Sequence, residues 1–375
     1  MKFSMIFEAQ LVDTSRKGEH QIMQESVEQA VLAEEMGFDK IWAVEHHCLK
    51  WYAHMSAPET FLAYVAGKTE RIRIGHGVVC LPHRMNHPVK VAERIAMLDL
   101  LSNGRVEFGI GKGGTPQEAG AFQTEMDEIP AQLEEAARMI PKMWSSEMFE
   151  YHSPTMDIPP RPIIPKPLQD PHPPMYLACT REETLNAAGE WGLGALVLGF
   201  GGPEDIAQKN RVYRDAAKRR TAKSQIPDFP VEHLSALCPA IVLDDSAQAR
   251  AIGLRGQRYF TEAIRHWYSF DGEPPPPPRA EIADMTDEEA LLQQGEELVA
   301  YLHEEKISLG TEATGLFNPN HAYGTTDAAR GYVQRLFDAG ADEIMFLIQM
   351  GTVPQWAALD TIRNLGEKVI PEFRS

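Results

Sequence analysis

Residues 41–47 (IWAVEHH) change from apolar to titratable within a few positions. An acid followed by two imidazoles could exchange protons near neutral pH, because the pKa of histidine lies close to that range. In proteins that alternate strands and helices, the carboxyl ends of the strands carry the chemistry. The pattern therefore predicts a strand whose end forms the rim of an active site. Neighbouring strand residues point to opposite faces, so only one of His46 and His47 is expected to line that site.

Two further predicted strand ends carry groups that suit a phosphate. Residues 106–114 (VEFGIGKGG) pass from an apolar strand into glycines, which allow close approach of a ligand, and Lys112 adds a positive charge. Residues 179–184 (CTREET) open a predicted helix, whose free amides, hydroxyls and guanidinium also suit an anion. The alternatives are a tight turn with a solvated lysine, and a helix cap in which Thr180 and Glu183 form a capping box. Together these two strand ends predict a phosphorylated cofactor that lies across the mouth formed by the carboxyl ends of the strands.

Residues 75–82 (GHGVVCLP) are unusual for a central strand, because glycine weakens strands unless the backbone bends or a ligand comes close. A planar ring packed on this backbone is the interpretation we favour, and a simple bulge is the alternative.

Composition limits the class of protein. The formal net charge of −18 argues against nucleic acid and anionic membranes as partners, since both need basic faces. No apolar run approaches the roughly 20 residues of a membrane span, and no secretion signal is visible near residue 1. Cys48, Cys80, Cys179 and Cys238 lack CxxC spacing, and the first predicted strand lacks a His-x-His pair, so we expect no disulfide frame and no metal site. These features favour a cytoplasmic enzyme.

Apolar runs alternate with helical patterns along the chain, which predicts a single (β/α)8 TIM barrel over residues 1–375. A helix–glycine–strand joint recurs at Gly37, Gly192 and Gly340. A doubly wound sheet with an appended domain is the alternative. The eight predicted strands are Lys2–Glu8, Lys40–Glu45, Arg71–Leu81, Val106–Gly111, Met175–Cys179, Gly194–Gly199, Leu234–Leu243 and Glu343–Ile348.

Residues 246–322, after the seventh predicted strand, are too long for an ordinary connection. They contain helical patterns through Tyr268 and over Asp287–Glu305, separated by five prolines that predict a stiff polyproline II spacer. Loops that leave barrel strands lie at the catalytic mouth, so we predict an active-site lid. An inert insertion is the alternative.

Many short stretches in the same order resemble the bacterial luciferase family of flavin-dependent monooxygenases. The matching stretches are Met36-Gly37-Phe38-Asp39, Glu45-His46-His47, Arg73-Ile74-Gly75, Leu81-Pro82, His87-Pro88-Val89, Ser102-Asn103-Gly104-Arg105, Phe108-Gly109-Ile110, Gly324-Thr325 and Val369-Ile370-Pro371. The resemblance implies a barrel that binds reduced FMN from a separate reductase. It further implies that the flavin reacts with O2 to form a C4a-peroxyflavin, which oxygenates a small organic substrate. Family members are commonly homodimers. The apolar content of Pro88–Leu101 is compatible with that, and core packing against the barrel explains it equally well.

The resemblance also implies roles for particular residues. His46 corresponds to the histidine that transfers protons beside the flavin, and Gly77-Val78 to a non-proline cis peptide under its ring. Lys112 takes the place of a phosphate-binding arginine. After the fifth predicted strand, the residues implied to hold the cofactor are Cys179, Thr180, Arg181 and Thr184.

The chain departs from the luciferase pattern at three places. A reactive cysteine is replaced by Gly111, so no thiol is expected there. A glutamate and a serine of the phosphate site are replaced by Thr180 and Arg181, which should favour the FMN phosphate. The lid region does not match, so neither the substrate nor light emission carries over. Three other functions remain open: a deazaflavin-dependent dehydrogenase of the same fold, a non-catalytic flavin-binding paralogue and a metal-dependent hydrolase.

Overall fold

Eight parallel strands close into a TIM barrel in the computed structural model, which describes residues 1–113, 115–268, 278, 285–304 and 317–374. The strands are β1 (Lys2–Phe7), β2 (Lys40–Ala43), β3 (Arg73–Cys80), β4 (Val106–Gly111), β5 (Phe149–His152), β6 (Asp157–Arg161), β7 (Met175–Cys179), β8 (Gly194–Val197), β9 (Leu234–Val242), β10 (Ala322–Gly324) and β11 (Glu343–Leu347). Consecutive barrel strands are hydrogen-bonded in the order β1-β2-β3-β4-β7-β8-β9-β11, and β11 pairs with β1 to complete the circle.

Helices surround the barrel, and the eight predicted barrel strands are confirmed to within a few residues at their ends. The helices are α1 (Arg16–Glu35), α2 (Pro58–Ala66), α3 (Pro88–Leu101), α4 (Pro116–Ala121), α5 (Ile129–Ser145), α6 (Glu182–Trp191), α7 (Pro203–Lys218), α8 (Ser246–Tyr268), α9 (Glu288–Glu304), α10 (Thr326–Asp338) and α11 (Gln355–Asn364). Gly37, Gly192 and Gly340 have φ angles of 80°, 76° and 94°. These left-handed residues turn the chain from helix to strand at the joints that the sequence predicts.

Three features go beyond the eight predicted strands. Between β4 and β5 the chain forms two helices, α4 and α5, because it turns between them at Gln123, whose φ is 55°. The proline-rich stretch from Tyr151 to Pro173 contributes strands to an antiparallel hairpin, β5–β6. A short extra strand, β10, pairs with β9 outside the closed barrel.

The predicted insertion begins with α8 and contains α9, which packs against it. Four of the five prolines, and with them the polyproline spacer, lie outside the described residues. No helix in the described part of the chain has the length and apolar character that a membrane span requires.

A charged layer fills the amino-terminal end of the barrel. Lys40 Nζ lies 2.9 Å from Glu343 Oε2 and donates a hydrogen bond of 3.2 Å to the Tyr176 hydroxyl. Burial opposes the charge on Lys40, but Glu343 and Glu107 raise its pKa, so the ammonium persists. Trp42 Nε1 donates to Glu343 Oε1 at 2.8 Å. This bond fixes the indole of Trp42, which packs against Gly75 of β3.

Candidate active site

His46 and Glu118 form a hydrogen-bonded pair at the carboxyl end of the barrel. His46 follows β2, and its Nδ1 lies 3.1 Å from Glu118 Oε1. Glu118 comes from α4, after β4, and is almost completely buried, whereas the His46 side chain is partly exposed. The pair thus joins two strand ends that are far apart in sequence and leaves the imidazole accessible at the mouth.

A capping box holds Glu118 in place. The Thr115 hydroxyl donates to Glu118 Oε2 at 2.9 Å and accepts from the Glu118 amide, while the Thr115 amide donates to the same carboxylate oxygen. One oxygen therefore closes the start of α4, and the other contacts His46. Sequence reasoning missed Glu118, although Thr-Pro-Gln-Glu at 115–118 is a capping-box pattern that predicts a helix start.

His47 faces different partners from His46. Its Nε2 lies 3.0 Å from Glu45 Oε1, and its ring packs edge-on against Phe122. Glu45 also accepts from the Cys80 amide and from Asn86 Nδ2. The two rings separate as the sequence predicts, but β2 ends at Ala43, so loop hydrogen bonds rather than strand alternation separate them.

The electrostatics favour a protonated His46. Burial opposes its charge, but the hydrogen bond and charge of Glu118, with Glu8 and Glu45, raise the pKa of His46. Burial also opposes ionisation of Glu118, yet the hydrogen bond from His46 lowers the pKa of Glu118 to about 2. The two pKa shifts are in the directions expected when an imidazole and a carboxylate stabilise each other's charge.

Glu8 is a second buried carboxyl group near His46. It follows β1, which neighbours β2 in the barrel. Burial raises the pKa of Glu8 to about 7, although His46 and a hydrogen bond with Tyr52 act in the opposite direction. This site therefore contains an acid that changes its charge near neutral pH.

The glycines of β3 make room for a ring, but that ring belongs to the protein. A Cβ atom on Gly75 would lie 2.2 Å from Cε3 of Trp42, which is its partner in the β2–β3 register. The ligand ring expected on this backbone is therefore not needed to explain Gly75. The bulge alternative is also observed, as a register shift between His76 and Val79. The Gly77-Val78 peptide bond is cis, as the resemblance implies, and both residues are partly exposed.

Lys112 and Arg181 lie near each other at the ends of β4 and β7. Burial and the charge of Arg181 lower the pKa of Lys112, while Glu183 opposes them. α6 begins after Arg181, and the Thr184 hydroxyl accepts from the Arg181 amide at 3.2 Å. The capping box is thus formed by Arg181 and Thr184, one residue later than the Thr180 and Glu183 box that the sequence offered as an alternative. Two cations and a helix start meet at one place, which is a suitable environment for an anion.

The thiol of Cys179 does not take part in the anion site formed by Lys112, Arg181 and the start of α6. Its side chain is fully buried, and Sγ lies 3.3 Å from the Leu177 carbonyl oxygen. Burial raises the pKa of the thiol. Any contact between Cys179 and a cofactor would therefore use its main chain.

Aromatic side chains connect the mouth to α8. The rings of Trp51 and Trp267 stack with centroids 6.4 Å apart, and Trp267 Nε1 donates to the Lys50 carbonyl at 2.6 Å. Tyr52 packs against both His46 and Phe260, with centroid distances of 5.1 Å and 5.6 Å. The first helix of the predicted lid is thus attached to the loop that carries His46. A cleft of about 540 Å³ opens beside the same loop, lined by His46, Cys48 and His54 among others.

Comparisons with known proteins agree with this architecture. The oxygenating constituent of 3,6-diketocamphane monooxygenase from the CAM plasmid of Pseudomonas putida, a type II Baeyer-Villiger monooxygenase solved in complex with FMN, superposes with a TM-score of 0.74 at 17% identity, covering 99% of this chain and 98% of that one. The oxygenase component of flavin-dependent trigonelline monooxygenase from Acinetobacter baylyi is 32% identical over 182 residues, which cover 48% of this chain and 49% of that protein. The F420-dependent glucose-6-phosphate dehydrogenase of Amycolatopsis mediterranei is 32% identical over 189 residues, covering 49% and 56%.

The profile of one family extends over most of the chain. It is the family described as luciferase-like monooxygenase, and the match covers residues 1–343. The chain therefore belongs to the luciferase-like monooxygenase family.

Proposed function

We propose that the protein is the oxygenase of a two-component system that uses reduced FMN and O2 to oxygenate a small organic substrate. The observation that carries this proposal is the order of groups around the mouth. His46 follows β2, Gly77-Val78 lies in β3, Lys112 follows β4 and Arg181 follows β7. These four strands are consecutive neighbours in the barrel, so the groups form one continuous arc.

The arc fits FMN from its phosphate to its ring. Lys112, Arg181 and the start of α6 would hold the phosphate, and the partly exposed Gly77-Val78 backbone would lie against the ring. Reduced FMN supplies the electrons that activate O2. The FMN complex of the P. putida protein with the same fold supports this cofactor.

His46 would transfer the proton in the reaction. Its Nδ1 is occupied by Glu118, which leaves Nε2 as the ring nitrogen that can exchange a proton with a bound molecule. Glu118 acts as a positioning residue, because it orients the ring and stabilises its charge. We place His46, Gly77, Val78, Lys112, Cys179, Thr180, Arg181 and Thr184 in this site, the last four through the β7–α6 corner.

We further propose a separate flavin reductase and a homodimer. The A. baylyi relative is named as an oxygenase component, which supports an external reductase. Tyr64 on α2 and Met97 and Leu101 on α3 are 52%, 48% and 65% exposed. Large apolar side chains on neighbouring helices are typical of a protein interface, and α2 contacts α3.

The insertion is proposed as the lid of this site. Trp267 and Phe260 attach α8 to the loop that carries His46. Closure over the mouth would exclude water from the reacting groups.

A deazaflavin-dependent dehydrogenase is the second candidate, because the relatives include the F420-dependent enzyme of A. mediterranei. The two functions differ in their need for O2. A dehydrogenase would oxidise its substrate anaerobically with oxidised deazaflavin, whereas the oxygenase would require O2 and incorporate it.

One experiment separates them. The protein is mixed with photoreduced FMN and ¹⁸O2 in the presence of a panel of aldehydes, ketones and aromatic compounds, and products are analysed by mass spectrometry. We expect ¹⁸O in one product, and His46→Ala should lower its rate roughly 10²- to 10⁴-fold. The exposed His20→Ala is the matched control. The proposal fails if no product is labelled and the protein leaves the reoxidation rate of reduced FMN unchanged.

A further inference from the structure

Two glutamine side chains meet at the carboxyl ends of adjacent barrel strands. Gln10 follows β1 and Gln349 follows β11, and these strands are paired in parallel. The two residues are 0% and 5% exposed. Buried amides are costly unless their donors and acceptors find partners.

Main-chain groups fix the orientation of both amides. Gln10 Oε1 accepts a hydrogen bond from the Gly351 amide at 2.8 Å, which identifies the remaining atom of the Gln10 amide as the nitrogen, Nε2. Gln349 Nε2 donates to the main-chain carbonyl of Gln10 at 2.7 Å, which identifies the remaining atom of the Gln349 amide as the oxygen, Oε1. The assignment of nitrogen and oxygen is therefore determined by the backbone and cannot be exchanged without loss of a bond.

Each side-chain amide consequently has one polar atom without a hydrogen-bond partner among the described residues. Gln10 Nε2 and Gln349 Oε1 are buried and have no hydrogen-bond partner among the described residues. One is a donor and the other is an acceptor. A purely structural role, in which the glutamines fasten residues 349–351 to residue 10, explains the two bonds that are made but not the two groups that remain unpaired.

The same corner contains other groups of the candidate site. The Tyr259 ring packs against Gly351, since a Cβ there would lie 2.4 Å from it, and the Tyr259 hydroxyl donates to the Leu11 carbonyl. Tyr259 belongs to α8, the first helix of the proposed lid. Glu8, two residues before Gln10, interacts with Tyr52 and with the charge of His46, while its buried Oε2 has no hydrogen-bond partner among the described residues. The residues that carry the unpaired amide atoms are thus close in the chain or in contact with residues of the proposed lid, and Gln10 follows Glu8 by two positions.

We propose that Gln10 and Gln349 bind an amide group of the substrate, with the substrate carbonyl accepting from Gln10 Nε2 and the substrate N–H donating to Gln349 Oε1. This assignment rests on the proposed function and names its substrate class: a small neutral primary carboxamide or lactam. A carboxylate does not fit this class, because it has no N–H for Gln349 Oε1. A ketone satisfies only one of the two glutamines.

The test compares matched pairs of fragments that differ in the N–H group. Benzamide is titrated against acetophenone, and δ-valerolactam against cyclohexanone, into the flavin-free full-length protein by ligand-observed NMR. We expect at least one amide to bind about tenfold more tightly than its ketone. Gln10→Met and Gln349→Met should reduce that preference to less than about twofold. Gln10→Glu keeps the oxygen that Gly351 needs and replaces the free nitrogen with a second carboxylate oxygen, which cannot donate when ionised. Measured at a pH where this carboxyl group is ionised, it should have the same effect if Gln10→Met does not fold.

Gln29→Met is the matched control. Gln29 is also buried with one unpaired amide atom, but it lies on α1 and bonds to Gln355. The preference should survive this change. The assignment is overturned if wild type does not prefer either amide, if the Gln10 and Gln349 variants keep the preference, or if Gln29→Met abolishes it. Binding of FMN is titrated separately, so failure of the flavin proposal would be recognised independently of the fragment result.

Discussion

Glu118 Oε1 lies 3.1 Å from His46 Nδ1, although 72 positions separate the two residues in the chain. The same carboxylate accepts from the Thr115 hydroxyl through its other oxygen. The carboxylate that caps the first turn of α4 therefore also favours the charged form of the imidazole at the barrel mouth. Local helix chemistry and the chemistry of the site share one side chain.

Glu118→Gln should lower the pKa of His46, because the carboxylate charge that raises this pKa is removed. If His46 donates a proton, the alkaline limb of the pH profile of turnover should move to lower pH, and turnover at pH 7.5 should fall roughly tenfold. The pH profile of product formation measures this shift. Glu134→Gln, which changes a surface pair with Arg138, is the control. An unshifted profile in Glu118→Gln would contradict the assigned role.

Lys112→Ala and Arg181→Ala should each weaken binding of reduced FMN by about 1.5–3 kcal/mol, as expected for hydrogen bonds to a charged group. The reason is that both cations lie near the start of α6, where the phosphate is placed. Riboflavin lacks the phosphate, so its affinity should be the same in both variants and in wild type. Anaerobic titrations compare the two flavins, and Arg161→Ala serves as a control on an exposed arginine. Equal losses for riboflavin and FMN would rule out a phosphate contact.

Acid should destabilise the fold through His76, which is buried with both ring nitrogens unpaired among the described residues. Burial, with a smaller contribution from Arg94, lowers the pKa of His76 to about 3. The unfolded chain binds this proton near pH 6.5, so the stabilising contribution is complete above that pH and is lost as the pH falls. Between pH 6.5 and 5 the loss for one such group is about 2 kcal/mol.

His76→Leu should therefore show a smaller fall in the free energy of unfolding over this pH interval than wild type. Urea unfolding at pH 6.5 and pH 5 measures the difference. His20→Leu changes an exposed histidine and should follow wild type. The same slope in all three proteins would show that His76 is not responsible.

The exposed apolar residues of α2 and α3 predict a homodimer. Met97→Glu combined with Leu101→Glu should convert the protein to a monomer, because two buried charges would oppose association. Sedimentation velocity measures the change. Ile164→Glu is the control, since Ile164 is equally exposed at 64% but lies outside these helices. A monomeric wild type, or a double variant that remains dimeric, would contradict this interface.

The barrel could be predicted from the sequence because its signals are local. Apolar runs, caps and the glycines at Gly37, Gly192 and Gly340 act over a few residues, and they place the strand ends that carry His46, Lys112 and Arg181. Weak local signals were missed: β10 has only three residues, and the β5–β6 hairpin contains Pro159 and Pro160, which are unfavourable in most strands.

Pairings between distant elements could not be read from the sequence. The capping-box pattern that holds Glu118 is visible at 115–118, but the contact with His46 depends on how the β2 and β4 loops meet above the barrel. Likewise, Gly75 was interpreted as a seat for a ligand ring, whereas the β2–β3 register places Trp42 there. In both cases tertiary structure decides which of several suitable partners a residue finds.

A crystal structure with FMN bound under anaerobic conditions tests the central claim most directly. We predict that the phosphate lies between Lys112 and Arg181, that the ring rests on Gly77-Val78, and that His46 lies beside the ring with Glu118 behind it. A flavin bound elsewhere on the protein, or a mouth filled by side chains with FMN present at saturating concentration, would contradict the account.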